Sequence, residues 1–338
     1  MLFPRTVLEP REAATQRNPP RFGAAGRENT MVRKARNWRR VAVVAAAIGW
    51  LAAPLPGSAA GETAAKVAPG KSDLKGATHA GLAAAGLPSL KSTIALVVDM
   101  ADGQVIYGKN VEHVTPIASI TKLMTAVVTL EAGLPLDETI VIDHADVDQL
   151  KHTSSRLNVG TGLSRADMLR LALMSSENRA AASLSRAYPG GREAFVAAMN
   201  RKAVELGMFN TRYVDPTGLS SENVSTAQDL VKIVKAAYEY PLIREFTTTA
   251  AHDVETARGR SLQFRNSNGL VKNPSWEIGL SKTGYISEAG RCLVMQAKIA
   301  ARPVVIVLLD SWGKNTRMGD ANRIKKWLES RLGRTPLG

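Results

Sequence analysis

The chain has 338 residues, of which 45% are hydrophobic, so it can bury one large core or two modest ones, and we favour a single domain. The formal net charge is +14, but half of this excess lies in the first sixty residues, which hold ten Lys or Arg and three Glu. The remainder is only moderately basic, so a nucleic-acid-binding function loses most of its support. Cys292 is the only cysteine, which excludes an intrachain disulfide, and its apolar neighbours predict a buried structural thiol.

The N-terminal segment has the pattern of a secretory signal peptide. Residues 33–40 are basic, residues 41–51 are apolar, and Ser58-Ala59-Ala60 has the small residues of a cleavage site. We expect cleavage after Ala60 and a true start of synthesis at Met31. The alternative is a membrane anchor, which is less favoured because two prolines interrupt the apolar run before it reaches the ~20 residues of a spanning helix.

The next elements predict one folded domain over residues 91–335, after a flexible linker over residues 61–90. Strand patterns at 94–98 and 105–107 flank a turn and predict a hairpin. Helical patterns follow at 119–131, 164–174, 191–206 and 225–240, and we expect a capping box of Ser225 and Gln228 to begin the last of these. Strand patterns return at 277–285, 292–299 and 304–309, before a final helix at 315–332.

Strands at both ends of the chain enclose helices, and this order predicts an α/β fold of the α+β kind. The sheet is expected to be antiparallel, to be built from both ends of the domain and to be covered by helices.

Three short motifs occur in a fixed order: Ser119-Ile120-Thr121-Lys122, Ser176-Glu177-Asn178 and Lys282-Thr283-Gly284. Together, S-x-x-K, S-x-N and K-T-G are typical of an acyl-transferring serine enzyme. Each motif is weak alone, since S-x-x-K also occurs at Ser72 and Ser311 and Ser-Glu-Asn recurs at Ser221. We favour the first set because Ser72 lies in a stretch without periodicity, Ser311 follows the K-T-G motif, and Ser221 lies in a predicted loop.

The residues of these motifs have complementary chemistry. Ser119 needs a base, and Lys122 lies one helical turn away on the same face, where burial and a second cation, Lys282, would lower its pKa. Ser176 could pass a proton to a leaving amine, and Asn178 could bond both Lys122 and a substrate amide. The strand with Lys282, Thr283 and Gly284 could bind an extended peptide along its edge, with the Lys282 charge and the Thr283 hydroxyl facing a carboxylate or carbonyl. The alternative is that Ser119 is only a helix cap and Lys122 a surface lysine.

Other kinds of site have less support. The five histidines include no pair at the helical two-ligand spacing, and a Ser-His-Asp triad on a G-x-S-x-G elbow is absent. A cluster beside His144 could hold a cation, although a solvated acidic loop is commoner: Asp143, Asp146 and Asp148. We assign no metal and no cofactor.

From about Ser92 to Leu328 the chain resembles the low-molecular-mass penicillin-binding proteins, the D-alanyl-D-alanine carboxypeptidases and endopeptidases. The segments at 116–125, 173–180, 188–191 and 215–219 are similar to the endopeptidase branch. The resemblance implies a five-stranded antiparallel sheet with helices on both faces and a helical subdomain. It also implies that Ser119 is acylated, that Lys122 is its base, and that the backbone N–H groups of Ser119 and Tyr285 form the oxyanion hole. Cross-linked peptidoglycan peptides are the implied substrates and β-lactams the implied covalent inhibitors.

Two departures refine these expectations. Carboxypeptidases of this group tend to carry Arg in an Asn-Arg-Asn-Gly-Leu segment, where this chain has Ser267, and we therefore expect cleavage of D-Ala–diaminopimelate cross-links over release of terminal D-alanine. Only 56 residues follow Lys282, so we expect no extra C-terminal domain or anchor and a soluble mature enzyme in the periplasm. The alternatives are a carboxypeptidase, a serine β-lactamase, whose E-x-x-L-N motif is absent between Asn178 and Lys282, and a non-catalytic wall-binding protein.

Overall fold

The computed structural model of the protein describes residues 86–255, 259 and 261–332. The predicted signal peptide, the start at Met31, the cleavage site after Ala60 and most of the predicted linker lie outside the described residues. Among the described residues, none of the helices has the length and apolar character needed to cross a bilayer.

A five-stranded sheet organises the fold. Its strands pair antiparallel throughout, in the order β2-β1-β11-β10-β9. They are β1 (Ile94–Asp99), β2 (Val105–Lys109), β9 (Glu277–Ile286), β10 (Gly290–Ile299) and β11 (Arg302–Ser311). The prediction of an antiparallel sheet built from both ends of the domain is confirmed. Because β1 pairs with β11 as well as with β2, the sheet forms only when the two ends of the domain meet.

Both faces of the central strands are buried, which explains their nearly continuous apolar sequences. Val97 pairs with Ile306, and both belong to the core under one face together with Leu293. The neighbouring residues Leu96 and Val307 belong to the core on the opposite face. Alternation of side chains along each strand therefore divides the interior into two apolar layers, one on each side of the sheet.

Seven α-helices lie in the described part of the chain: α1 (Lys122–Glu131), α2 (Arg165–Met174), α3 (Asn178–Arg186), α4 (Gly191–Glu205), α5 (Ala227–Tyr238), α6 (Pro241–Thr248) and α7 (Thr316–Leu332). Helix α7 packs on the face that contains Val97, whereas α1 to α6 pack on the other face. Three small antiparallel pairs join these helices: β3 (Thr115–Pro116) with β6 (Val224–Ser225), β4 (Thr139–Val141) with β5 (Gly162–Ser164), and β7 (Ala251–Glu255) with β8 (Ser261–Arg265).

Several element boundaries differ from the predictions. The expected capping box of Ser225 and Gln228 is wrong: Thr226 is the N-cap of α5, and its side chain accepts from Asp229 N. Ser225 instead lies in β6, and its hydroxyl is 2.8 Å from Thr211 Oγ1. Helix α6 and the β7–β8 hairpin were not predicted, because both are short and only partly apolar.

Two further sequence predictions concern Cys292 and Ser119. Cys292 is buried, as expected, and burial raises the pKa of its thiol to about 11. Ser119 was predicted to begin a helix, but it lies in a 3₁₀ turn (Ala118–Thr121), and α1 begins at Lys122. This turn packs against β9, so the N-terminal end of α1 meets the edge of the sheet.

Candidate active site

The start of α1 brings Ser119 and Lys122 together. Lys122 Nζ donates a hydrogen bond to Ser119 Oγ at 2.9 Å. It also donates to Asn178 Oδ1 at 2.8 Å and to the Thr217 backbone oxygen at 2.7 Å. Ser119 is half-buried, whereas the Lys122 side chain is 0% exposed. Three acceptors therefore fix the position of the amine beside the hydroxyl.

Burial changes the acidity of Lys122. Loss of water around the ammonium lowers the pKa of Lys122 to about 7, although the carboxylates of Asp215, Glu177 and Asp148 oppose this shift. A lysine with this pKa is present partly as a neutral amine near neutral pH. Such an amine can accept a proton from a hydroxyl in contact with it.

A sharp turn between two helices presents the Ser-Glu-Asn motif. Helix α2 ends at Met174, Ser176 adopts a left-handed conformation with φ of +63°, and α3 begins at Asn178 with Glu177 as its N-cap. Ser176 therefore lies at a break between two helices. A non-glycine residue with positive φ costs ~1–2 kcal/mol, which the surrounding helices must offset.

Asn178 connects Lys122 with a neighbouring loop. Its Oδ1 accepts from Lys122 Nζ, while its Nδ2 donates to Thr153 Oγ1 at 2.9 Å. The Thr153 hydroxyl in turn donates to Asp148 Oδ2 at 2.7 Å. The amide orientation of Asn178 is thus determined on both sides, with its oxygen directed at the amine.

Strand β9 places the Lys-Thr-Gly motif on the other side of the site. Lys282 Nζ donates to Ser176 Oγ at 2.9 Å and to the Thr283 backbone oxygen at 2.8 Å. Burial lowers the pKa of Lys282 well below its ordinary value, and the nearby charges of Lys122 and Arg317 lower it further. The two lysines therefore share one buried region, each in contact with a different serine hydroxyl.

Two glycines allow the backbone segments of the site to approach each other. A Cβ on Gly284 would lie 3.0 Å from the Ile117 oxygen and 3.1 Å from Ser119 N, so β9 lies almost in contact with the turn that carries Ser119. A Cβ on Gly218, whose φ is +81°, would lie only 1.9 Å from the Ala118 oxygen. Gly218 therefore has no room for a side chain, and at Gly284 a side chain would require its neighbours to move by a few tenths of an ångström.

Tyr285 lies at the outer end of this motif. Its side chain is 56% exposed, and the Arg291 guanidinium lies 4.4 Å from the centre of its ring. The structure thus gathers around the start of α1 the side chains of Ser119, Lys122, Ser176, Asn178, Lys282 and Thr283 and the backbone of Gly284, while the Tyr285 side chain faces solvent.

Several residues at the site were not predicted. The Thr217 backbone oxygen holds Lys122, and Asp215 Oδ1 accepts from Thr217 N at 2.6 Å and from Gly218 N at 2.7 Å. The Asp-Pro-Thr-Gly sequence identifies this turn, but a sequence pattern does not indicate which carbonyl faces Lys122. Ser267, by contrast, was singled out from the sequence as the residue that replaces Arg, and its hydroxyl accepts from Thr283 Oγ1 at 2.7 Å.

The serines of the competing motifs lie in other parts of the chain. Ser311 is buried, and its hydroxyl is 2.7 Å from Ser92 Oγ. Ser221 lies in a turn before β6, as predicted, and Ser72 lies outside the described residues.

The carboxylates of the acidic cluster near His144 accept hydrogen bonds from other groups of the protein. Asp143 caps a 3₁₀ turn, Asp146 Oδ1 and Oδ2 accept from Arg186 at 3.0 and 2.9 Å, and Asp148 accepts backbone N–H groups of its own loop. In the described ranges, no group of three or more His, Cys, Asp or Glu side chains could hold a metal ion.

The fold and this set of side chains define a class of serine acyl-transferring enzymes that carry S-x-x-K, S-x-N and K-T-G motifs. The family model described as D-alanyl-D-alanine carboxypeptidase matches residues 82–313. The chain belongs to this family, and it is a serine-type D-Ala-D-Ala peptidase. The resemblance predicted from the motifs is confirmed.

Individual relatives support the assignment. A protein named D-alanyl-D-alanine endopeptidase from Pseudomonas aeruginosa is 52% identical over 73% of this chain and 81% of its own length. A protein of the same name from Escherichia coli is 50% identical over 73% of this chain and 80% of its own length. The crystal structure of a Streptomyces DD-transpeptidase matches with a TM-score of 0.67 and 28% identity, over 71% of this chain and 97% of that chain.

Proposed function

We propose that the protein cleaves peptidoglycan peptides through an acyl-enzyme on Ser119, with the D-alanyl–diaminopimelate cross-link as its principal substrate. The observation that carries this proposal is the fully buried Lys122, whose Nζ lies 2.9 Å from Ser119 Oγ and whose pKa is lowered to about 7 by burial. This pair supplies both a nucleophile and a base that works near neutral pH.

In the acylation step, Lys122 accepts the proton of Ser119 as Oγ attacks the carbonyl carbon of the D-alanine residue. The backbone N–H groups of Ser119 and Tyr285 would stabilise the oxyanion. Support for this role comes from Gly284, where the backbone of β9 approaches Ser119 N so closely that an added Cβ would lie 3.1 Å from it.

The leaving amine must then receive a proton. Ser176 would donate its hydroxyl proton and be reprotonated by Lys122, which returns Lys122 to the neutral amine. The contacts of Ser176 Oγ with Lys282 Nζ and of Asn178 with Lys122 support this role. Collapse of the tetrahedral intermediate breaks the peptide C–N bond and leaves D-alanine as an ester on Ser119. Water then attacks this ester as Lys122 takes its proton, the bond between the acyl carbon and Ser119 Oγ breaks, Lys122 returns the proton to Ser119 Oγ, and the new carboxylate is released.

The choice of an endopeptidase rests on two arguments. The relatives at 52% and 50% identity are both named D-alanyl-D-alanine endopeptidase. In addition, Ser267 occupies the position where family carboxypeptidases tend to carry Arg, and its hydroxyl contacts Thr283 rather than supplying a positive charge. Other relatives, at 29% and 32% identity, are named D-alanyl-D-alanine carboxypeptidase. Release of terminal D-alanine is therefore the second candidate function.

Labelling with a fluorescent penicillin tests the acyl-enzyme. Ser119 Oγ would add to the lactam carbonyl, the ring C–N bond would open, and the ring nitrogen would take the proton. We expect a covalent label on the full chain that Ser119→Ala loses and that Ser221→Ala, in the second Ser-Glu-Asn sequence, retains. Persistence of the label in Ser119→Ala would reject Ser119 as nucleophile, and a wild-type chain without label would favour a silent wall-binding protein.

Digestion of purified muropeptides tests the substrate. We expect cross-linked dimers to be converted to monomers faster than pentapeptide monomers release D-alanine. D-alanine release with intact dimers would instead identify a carboxypeptidase. Rapid turnover of penicillin would identify a β-lactamase, which we disfavour because the E-x-x-L-N motif is absent between Asn178 and Lys282.

These substrates occur outside the cytoplasmic membrane, so the proposal includes export. The predicted signal peptide and cleavage after Ala60 would deliver the enzyme to the periplasm without a stable anchor. N-terminal sequencing of the protein recovered from a periplasmic fraction tests this part, with a mature terminus at Gly61 as the expected result.

A further inference from the structure

The second Ser-Glu-Asn sequence of the chain, residues 221–223, ends in a buried asparagine. Asn223 is 0% exposed, and all four hydrogen-bonding positions of its amide are occupied. Its Oδ1 accepts from Val214 N at 2.8 Å and from Asp215 N at 3.2 Å. Its Nδ2 donates to the Asp215 oxygen at 2.8 Å and to Thr121 Oγ1 at 3.1 Å. The amide therefore joins this segment to the S-x-x-K motif.

Two further contacts connect Asn223 with the turn that carries Ser119. The backbone oxygen of Asn223 accepts from Ile117 N at 3.0 Å. Thr121 Oγ1, which accepts from the Asn223 amide, donates in turn to the Ala118 oxygen at 2.8 Å. Asn223 thus reaches both residues that precede the nucleophile, one directly and the other through a buried hydroxyl.

Ala118, which directly precedes Ser119, has a backbone conformation that needs support from its surroundings. Its φ is +49°, in the left-handed region that residues with a Cβ rarely adopt. Such a conformation persists only where the surrounding structure holds it. If φ returned to its ordinary negative range, the peptide before Ser119 would rotate and Ser119 Oγ would lose its position beside Lys122. The hydrogen bond to the Ala118 oxygen is therefore important for the nucleophile.

We propose that Asn223 is a positioning residue for the acylation of Ser119. By holding the turn through Thr121 and Ile117, it maintains the positive φ of Ala118 and hence the direction of the nucleophilic hydroxyl. Within the part of the chain that the structure describes, Asn223 makes no hydrogen bond to a reacting side chain, so it acts through the turn. The inference rests on the proposed function, because it concerns the step in which Ser119 is acylated.

Two substitutions remove the link between Asn223 and Thr121 from opposite sides. Asn223→Asp keeps Oδ1 as an acceptor for the two backbone N–H groups but loses the donor to Thr121. Thr121→Val keeps the shape of the side chain, adds no charge and removes the hydroxyl that joins the amide to the Ala118 oxygen. Because Thr121→Val introduces no carboxylate, it separates loss of the link from any effect of a new buried charge.

Stopped-flow kinetics with benzylpenicillin on the full-length protein measures the effect. The measurement gives the limiting rate constant of acylation and the dissociation constant of the noncovalent complex. We expect each variant to lower the rate constant at least about fivefold, the size typical of one hydrogen bond. The side chains of Asn223 and Thr121 are both fully buried, so the dissociation constant should stay within about twofold of the wild-type value.

Ala118→Gly provides a readout that a general loss of structure would not alter. Glycine adopts positive φ without steric cost, so the turn should no longer depend on support from Asn223. In the Ala118→Gly background we expect Asn223→Asp and Thr121→Val each to lower the rate constant less than about twofold. Urea unfolding of every variant verifies that the protein is folded under the conditions of the kinetic measurement.

Asn200→Asp is the matched control. Asn200 Nδ2 donates to the Val196 and Tyr213 oxygens at 3.0 and 2.8 Å, and its Oδ1 accepts from Tyr213 N at 2.9 Å. This amide also joins two backbone segments, but its hydrogen bonds do not involve the 118–121 turn. The control should therefore keep the wild-type rate constant.

An unchanged rate constant in folded Asn223→Asp or folded Thr121→Val would overturn the positioning role and leave the proposed function standing. The same loss with and without Ala118→Gly would also overturn it. If Asn223→Asp does not fold, Thr121→Val provides the same two comparisons. Absence of acylation of the wild-type protein would reject the proposed function, and this inference with it.

Discussion

Lys122 Nζ lies 2.9 Å from Ser119 Oγ and 2.8 Å from Asn178 Oδ1, and its side chain is fully buried. Lys282 Nζ makes the corresponding contact with Ser176 Oγ at 2.9 Å. Burial removes water from both lysines and lowers the pKa of each, and the charge of Lys122 lowers the pKa of Lys282 further. A site with two buried amines thus disfavours protonation of both at once.

The first prediction concerns the pH dependence of acylation. Since burial lowers the pKa of Lys122 to about 7, the neutral amine increases as pH rises through that value. We expect the second-order rate constant for penicillin acylation to rise tenfold per pH unit well below pH 7 and to level off above it. Lys122→Arg should abolish the reaction, because guanidinium does not deprotonate in proteins.

Stopped-flow measurement of acylation between pH 5 and 9 checks this prediction. Lys326→Arg, at an exposed position in α7, is the control and should keep the wild-type profile. A rate that is independent of pH across this range, or a reactive Lys122→Arg, would exclude Lys122 as the base.

The second prediction concerns stability. The folded pKa of Lys122 is about 7 and the ordinary value is 10.5, so between these values the unfolded chain binds a proton that the folded chain does not. Stability therefore rises with pH across this window, by up to about 1.4 kcal/mol per pH unit. Lys122→Met removes the contribution of Lys122 to the pH dependence of stability. It also removes the charge that helps to lower the pKa of Lys282, so the contribution of Lys282, which has the same sign, becomes smaller.

Urea unfolding at pH 7, 8 and 9 measures this effect. We expect the free energy of unfolding of the wild-type protein, relative to that of Lys122→Met, to increase at each step. Lys326→Met should instead run parallel to the wild type, since its ammonium is exposed. Parallel curves for Lys122→Met would mean that Lys122 is charged in the folded protein.

Much of this site could be predicted from the sequence, because the three motifs carry their chemistry in adjacent residues. Helical spacing predicts that Lys122 and Ser119 meet, and the K-T-G motif predicts a strand edge. The contact of Lys122 with the Thr217 oxygen could not be predicted, because 95 residues separate the two groups and any backbone carbonyl could serve. The contact of Asn223 with Thr121 depends in the same way on segments that are distant in sequence.

The third prediction concerns Thr153 as a positioning residue. Its hydroxyl accepts from Asn178 Nδ2 at 2.9 Å and donates to Asp148 Oδ2 at 2.7 Å, which fixes the amide whose oxygen holds Lys122. Thr153→Val removes both bonds. At ~1 kcal/mol for such a hydrogen bond, we expect penicillin acylation to slow about fivefold and the free energy of unfolding to fall by up to ~2 kcal/mol.

Acylation rates of Thr153→Val and Thr153→Ser, measured side by side, check this role. The serine variant keeps a hydroxyl and should restore most of the rate. Thr93→Val removes an exposed hydrogen bond to the Asp310 oxygen and should leave acylation unchanged. Equal loss in the serine and valine variants would contradict the positioning role.

The last prediction concerns Gly218, where the turn after Asp215 meets the residue before the nucleophile. A Cβ there would lie 1.9 Å from the Ala118 oxygen and 2.3 Å from its carbonyl carbon, and φ is +81°. The left-handed conformation alone costs ~1–2 kcal/mol for an alanine, and the overlap with backbone must be relieved by moving the 118–121 turn. We therefore expect Gly218→Ala to lower the free energy of unfolding by at least about 3 kcal/mol and to abolish penicillin labelling.

Gly133→Ala provides the matched control for the backbone term. Gly133 also has a positive φ, +62°, but a Cβ there would have no neighbour within 4 Å. It should therefore show only the ~1–2 kcal/mol conformational cost and label normally with penicillin. Because the two variants share the conformational penalty, their difference in urea unfolding measures the cost of separating the 118–121 turn from the Asp215 turn. Similar unfolding free energies for both variants would show that this close contact contributes little to holding Ser119 in place.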